Sequence, residues 1–261
     1  MMSRYKTVLW RSGVRIKRTP TDLFDLIAWP LLLIIPFGLF TTYTGAGPEV
    51  LMVLIIGAIG WITTSAIQRE LVINFMIEVW QRTIKKSRVL PIKEIENVTI
   101  NWMVGIVRGL LTFFIISTVS YFLFGINIFK TNILILSLAF IGIVISSLLI
   151  GMFVISTIKI FGHRAEVVAW FITEIIVLVS GIYYSVEILP RTIRTIAYAS
   201  PLTYVFEILR KSIIETATLA ELSPLFVRMF AILSVGVFLV SAFYIYAEKL
   251  AIKKGFYQKY D

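Results

Sequence analysis

Hydrophobic positions in this chain gather into long, nearly unbroken runs rather than into one-sided stripes or strand-like alternation. Six such runs cover residues 26–44, 50–67, 102–124, 133–157, 167–186 and 225–247. A helix needs about 18–20 apolar residues to cross the hydrocarbon core of a bilayer. The pattern therefore predicts an all-α membrane protein with six transmembrane helices in a single domain, residues 1–261. The first run carries Pro30 and Pro36. Proline is tolerated in membrane helices because neighbouring groups satisfy the backbone it frees.

The polar segments between the runs are uneven in charge. Taking the N-terminal segment, the loops after runs two and four and the C-terminal tail together, one side of the membrane holds 18 Lys and Arg, against five on the other. The positive-inside rule then places both termini in the cytoplasm, in keeping with an even number of spans. The first 24 residues are polar and Arg-rich, so no cleavable signal peptide is expected.

Three segments are neither spans nor short connectors. Residues 1–22 carry Arg4, Arg11, Arg15 and Arg18 in one sector at helical spacing, with Tyr5, Leu9, Trp10, Val14 and Ile16 mostly opposite. That is the pattern of a helix lying in the membrane interface. Residues 68–101 form a cytoplasmic loop of more than 30 residues, long for a connector. Within it, 74–92 mixes Phe75, Met76, Val79 and Trp80 with Glu78, Arg82, Lys85, Lys86 and Arg88, and Pro91 ends it. A short helix with one face on the membrane and one offered to a partner is expected there. Residues 187–224 are half apolar and divided by Pro190 and Pro201. Ser200-Pro201 reads as an N-cap followed by proline in the first helical turn. Two short re-entrant or interfacial helices at the outer face are expected.

Composition narrows the chemistry. The chain is 58% hydrophobic and 15% charged, with mean hydropathy +0.90, against roughly 45–50% and 25% in soluble domains. A soluble enzyme and a disordered chain are both excluded. There is no cysteine and one histidine, His163, so no thiolate chemistry and no metal site is expected. No glycine is followed by lysine, so there is no P-loop. HExxH and nucleophile-elbow motifs are also missing. The net charge of +10 fits cytoplasmic loops beside anionic lipid. Removing the spans leaves no compact basic domain for nucleic acid.

Three charges fall inside spans: Arg228, near the outer end of the sixth where it can snorkel, and Arg108 and Glu174 deeper in. Charge at that depth calls for a partner or water. Measured from the cytoplasmic ends of runs three and five, both lie roughly 9–12 Å in, and an ion pair between them is expected. It would serve either structure or transport coupling. Gly105 and Gly109, and Ser147 and Gly151, give small-xxx-small pairs for close helix packing, within the chain or between chains.

The late stretch SGIYYSVEILPRTIRTIAYASPLTYVFEILR, residues 180–210, resembles the signature segment of type-2 ABC exporter permeases. Ser180-Gly181, Leu189-Pro190, Pro201-Leu202-Thr203 and Arg210 match in order and spacing. Tyr184-Ser185 and Ser200 stand where that family usually has Phe-Pro and Asn. Glu78 and Pro91 fall where its coupling helix carries Glu and a following Pro. The resemblance implies a transport subunit with no ATPase site and no cofactor of its own. It also implies a second copy or paralogue completing the path, and two ATP-binding subunits that hold ATP and Mg. Residues 74–92 would be the coupling helix, and 187–224 the outer gate. The cell membrane is the implied location. Outside this resemblance, an ATP-independent channel or ion-coupled carrier and an intramembrane enzyme remain as readings. The carrier calls for several intramembrane acids, and the enzyme for convergent polar groups.

Overall fold

The computed structural model describes residues 20–81, 83, 94–162 and 165–256, and these are helical with short connections and no strand. Eight α-helices follow in order: α1 Pro20–Thr44, α2 Pro48–Trp80, α3 Glu94–Phe124, α4 Ile133–Phe161, α5 Glu166–Val179, α6 Arg191–Ala197, α7 Pro201–Ile214 and α8 Leu219–Lys253. Their ends follow local chemistry. α2 opens on Gly47-Pro48 with Glu49 in its first turn, where proline loses no helical hydrogen bond and a carboxylate meets the positive end of the helix dipole. The Asn132 side chain accepts the backbone N–H of Leu134 to cap α4. Gly125, Gly162 and Gly181 follow α3, α4 and α5 with φ of +70°, +88° and +68°, a left-handed backbone that suits glycine.

Four of these helices, α2, α3, α4 and α8, are long and apolar enough to cross a membrane. α1 contributes a shorter apolar stretch, Pro30–Thr41. Two expected boundaries are corrected. The second run does not stop at 67: α2 continues to Trp80 as one helix of 33 residues. No glycine or proline interrupts the chain between Gly60 and Pro91, so nothing breaks it where the charged residues begin. The fifth run does not reach 186 as a helix: α5 has 14 residues and stops at Val179. At 1.5 Å per residue it is about 21 Å long, and the chain turns at Ser180-Gly181.

α2 and α4 form the centre. α2 packs against α1, α3, α4 and α7, and α8 lies on α4 and α7. Small residues permit the closest approach. A β-carbon at position 105 would stand 2.7 Å from the Ile67 carbonyl oxygen, and one at 109 would enter the Ile67 side chain. Gly151 meets Leu71 in the same way. Gly105, Gly109 and Gly151 are thus used inside the chain, against α2. Outward, Phe122 and Leu123 of α3 and Phe238 and Leu239 of α8 are exposed. Apolar surface on this scale is compatible with lipid rather than water as solvent.

Candidate functional site

Three groups of residues depart from plain apolar packing: a charged cluster where α2 meets α3, a second at one end of α4, and a polar hairpin after α5.

The first cluster follows from the length of α2. Because that helix runs through Gln68, Arg69 and Glu70, it carries these polar groups alongside α3. The Arg108 guanidinium lies 3.1 Å from a Glu70 carboxylate oxygen, with Glu70 almost fully buried. The other Glu70 oxygen accepts from the Asn74 side chain at 2.9 Å. This corrects the expected Arg108–Glu174 pair. Glu174 lines the same cavity as Arg108, together with Arg69 and Thr112. The ion-pair partner comes from the neighbouring helix because Gly105 and Gly109 let α2 and α3 approach closely. The sequence carried a signal for Glu70: an unbroken helical stretch without glycine or proline beyond residue 67.

The second cluster surrounds Lys159, near the end of α4 and fully buried. Its ammonium contacts the Glu94 carboxylate at the start of α3, and Glu248 at 2.8 Å and the Tyr244 hydroxyl at 2.9 Å, both on α8. The same nitrogen lies 4.0 Å from the centre of the Tyr244 ring and 5.5 Å from that of Phe75 on α2. One cation therefore ties four helices at one end of the bundle. Its partners are spread across the chain, so no local spacing announces the cluster.

The hairpin brings the motif residues together. Ser180 donates to or accepts from Ser200 at 2.7 Å, which joins the end of α5 to the start of α7. Ser200 does occupy the N-cap position before Pro201, but it makes no side-chain capping bond; its hydroxyl is engaged by Ser180. Thr203 donates to the Ala197 carbonyl at 2.6 Å and Tyr204 to the Tyr198 carbonyl at 3.2 Å, closing the end of α6. Arg210 donates to the Tyr184 carbonyl at 2.6 Å. Arg194 donates to the carbonyls of Glu187 and Leu189, the latter at 3.0 Å, so Leu189-Pro190 leads from a short 3-10 turn into α6. Leu202 and Thr203 are buried. These bonds satisfy backbone carbonyls that a turn away from water would otherwise leave bare. α7 is lodged against α2, α4 and α8, with Phe206 against Gly60 and the Ile182 carbonyl against Gly57. At its far end Lys211 pairs with Glu207 at 3.0 Å, and the hydrogen-bonded Glu207 carboxylate raises the Lys211 ammonium above its ordinary range. Beneath the hairpin lies an apolar cavity of about 650 Å³ between α4, α5, α7 and α8.

The motif that first suggested a resemblance is thus one folded unit. The family model for ABC-2 type transporters matches residues 3–214, from the N-terminal segment to the end of α7. The chain belongs to the ABC-2 type transporter family. It is a membrane-spanning permease component of an ABC transporter, a class that has no ATPase site of its own and normally works with a separate ATP-binding subunit. No curated protein matches the chain significantly.

The remaining expected residues divide in two. Glu78 lies on the last turns of α2, so residues 74–80 continue that helix rather than start a new one. Arg82, Lys85, Lys86, Arg88 and Pro91 lie outside the described residues, as do Arg4, Arg11, Arg15 and Arg18. Among the described residues no group of acidic or histidine side chains is placed to hold a metal ion.

Proposed function

We propose that this ABC-2 permease is an exporter subunit that moves an amphipathic cargo, glycan-linked, lipid-linked or drug-like, outward across the cell membrane. α1 to α5 and α8 make six crossings in this reading, α5 being completed by the turn at 180–186, with both termini in the cytoplasm. A second copy, or a close paralogue, completes the path. Two ATP-binding subunits, carrying ATP and Mg, dock on the cytoplasmic side. The segment 74–92 receives them, with Glu78 at the end of α2 and the basic residues beyond it as contacts, and the basic N-terminal segment braces it at the lipid surface.

The observation that carries this reading is the join between α2 and the rest of the bundle. A displacement of the α2 end is passed to α3 through Arg108–Glu70 and to α4 and α8 through Lys159, whose partners are Glu94, Tyr244 and Glu248. α5 packs on α4 and α6 and has no ion pair to the moving group among the described residues. ATP binding by the partner shifts the equilibrium only by favouring one of the two arrangements over the other. The hairpin of α6 and α7 then gates the outer end, and the apolar cavity beneath it suits the hydrophobic part of a cargo.

The reading is tested by co-expression with a candidate ATP-binding subunit and purification in mild detergent. The two should co-purify, and Glu78→Lys should lower the recovered partner by about tenfold, the loss of one charge-assisted contact, while the permease itself elutes unchanged. A permease that transports against a gradient after purification without any ATP-binding subunit would overturn the proposal.

A further inference from the structure

The cavity shared by Arg108 and Glu174 holds more polar chemistry than the ion pair uses. It measures about 230 Å³ and lies between α1, α2, α3 and α5. Trp61, Ser65 and Arg69 face it from α2, Arg108 and Thr112 from α3, and Glu174 from α5. Gln68 on α2 reaches Thr173 on α5 at 3.4 Å, which holds the two walls together beside it.

Three features mark the cavity as built for a ligand. First, Arg69 and Glu174 attract each other electrostatically, yet neither is within ion-pair distance of an opposite charge among the described residues. Charges at such a depth need a partner. Second, the Thr112 hydroxyl is buried and has no hydrogen-bond partner. Helical hydroxyls elsewhere in this chain bond back to the carbonyl four residues earlier: Thr63 to Ile59 at 2.7 Å, Thr64 to Gly60 at 2.8 Å, Ser147 to Ile143 at 2.7 Å. Thr112, like Ser117, Ser120 and Ser146, does not, and of these four it alone lines this cavity; a buried polar group left bare costs stability unless something meets it. Third, the free chemistry has both signs. Arg108 is matched by Glu70, so the cavity is left with one guanidinium, one carboxylate and the hydroxyls of Ser65 and Thr112.

We infer that this cavity binds the headgroup of a zwitterion, its phosphate or carboxylate on Arg69 and its primary amine on Glu174, with the Thr112 hydroxyl supplying a further hydrogen bond. A purely anionic ligand leaves Glu174 opposed, and a neutral one leaves both charges bare. The volume admits a headgroup of phosphoethanolamine size and excludes an oligosaccharide. The ligand class does not depend on whether the bound molecule is cargo or a resident lipid, nor on ATP-driven export.

The test is native mass spectrometry of the full chain in detergent, titrated with phosphatidylethanolamine or with phosphatidylglycerol. Wild type should hold phosphatidylethanolamine about tenfold more tightly, the worth of one charge-assisted hydrogen bond. Arg69→Gln should weaken both lipids, and Arg69→Lys should restore much of the loss. Glu174→Gln should abolish the preference without weakening phosphatidylglycerol. Thr112→Val should weaken phosphatidylethanolamine about threefold or more with no fall in thermal stability, which separates a binding role from a packing role. Displacement of the lipid by soluble glycerophosphoethanolamine supports a site open to the free zwitterion, and retention against it supports a lipid-borne headgroup. Equal binding of both lipids by wild type, unaffected by Arg69→Gln, overturns the inference and leaves a solvent-bridged pair only.

Discussion

Replacing Lys159 with methionine is expected to lower the unfolding temperature of the detergent-purified chain by roughly 10 °C. Lys159 is fully buried, while the side chains of Glu94 and Glu248 keep 31% and 17% of their exposure. Removing one member of a buried charge pair costs about 3–5 kcal/mol because the opposite charge remains in a poor solvent. The partial exposure of Glu94 places this case near the lower end. In a chain of this size each kcal/mol corresponds to about 2–4 °C. Methionine keeps the length and apolar stem of lysine, so packing alone predicts a small change. Adding Glu94→Gln and Glu248→Gln to Lys159→Met should recover more than half of the loss, since no carboxylate is then left facing the site without its cation. Differential scanning fluorimetry on the single and triple variants reads both numbers. An unchanged midpoint for Lys159→Met would show that the cluster does not hold α3, α4 and α8 together.

The second large effect concerns Arg108. Arg108→Met should cost about 3–5 kcal/mol, because Glu70 has a side-chain exposure of 1% and loses its guanidinium. The double variant Arg108→Met with Glu70→Met should be markedly more stable than Arg108→Met alone, as buried pairs exchanged for apolar residues often are. Glu174→Gln should change stability by less than about 1 kcal/mol, because Glu174 faces the cavity and has no direct ion pair to lose among the described residues. A double-mutant cycle by thermal or denaturant unfolding apportions the coupling. Strong coupling of Arg108 to Glu174, with none to Glu70, would contradict the assigned partner.

These two clusters also mark where sequence reading stopped. The apolar cores of α3, α4 and α8 were legible because hydropathy is set by the solvent the helix must cross. The predicted 102–124, 133–157 and 225–247 lie inside the observed 94–124, 133–161 and 219–253. The extra turns are those that carry charge, Glu94, Lys159 and Glu248, and hydropathy ends a span where charge begins. Lys159 accordingly reads as a loop cation, although it is buried by partners far apart in sequence. Gln68, Arg69 and Glu70 read as loop for the same reason. Position along the helix gives Arg108 and Glu174 a similar depth, but depth does not choose between neighbours. That choice depends on how close two backbones come, which Gly105 and Gly109 decide. The order of the late motif was legible. Its contacts were not, since Ser180 with Ser200 and Arg210 with Tyr184 join residues 20 and 26 apart through a reversal of the chain.

The central claim is that the face at the end of α2 is cytoplasmic and gripped by an ATP-hydrolysing partner. The chain has no cysteine, so a single introduced thiol reports its own position. Ser87→Cys should resist a membrane-impermeant maleimide in intact cells, react in inside-out vesicles, and be shielded there when the ATP-binding subunit is bound. Thr131→Cys, between α3 and α4, should show the opposite sidedness. Labelling of Ser87→Cys from outside intact cells would contradict the account.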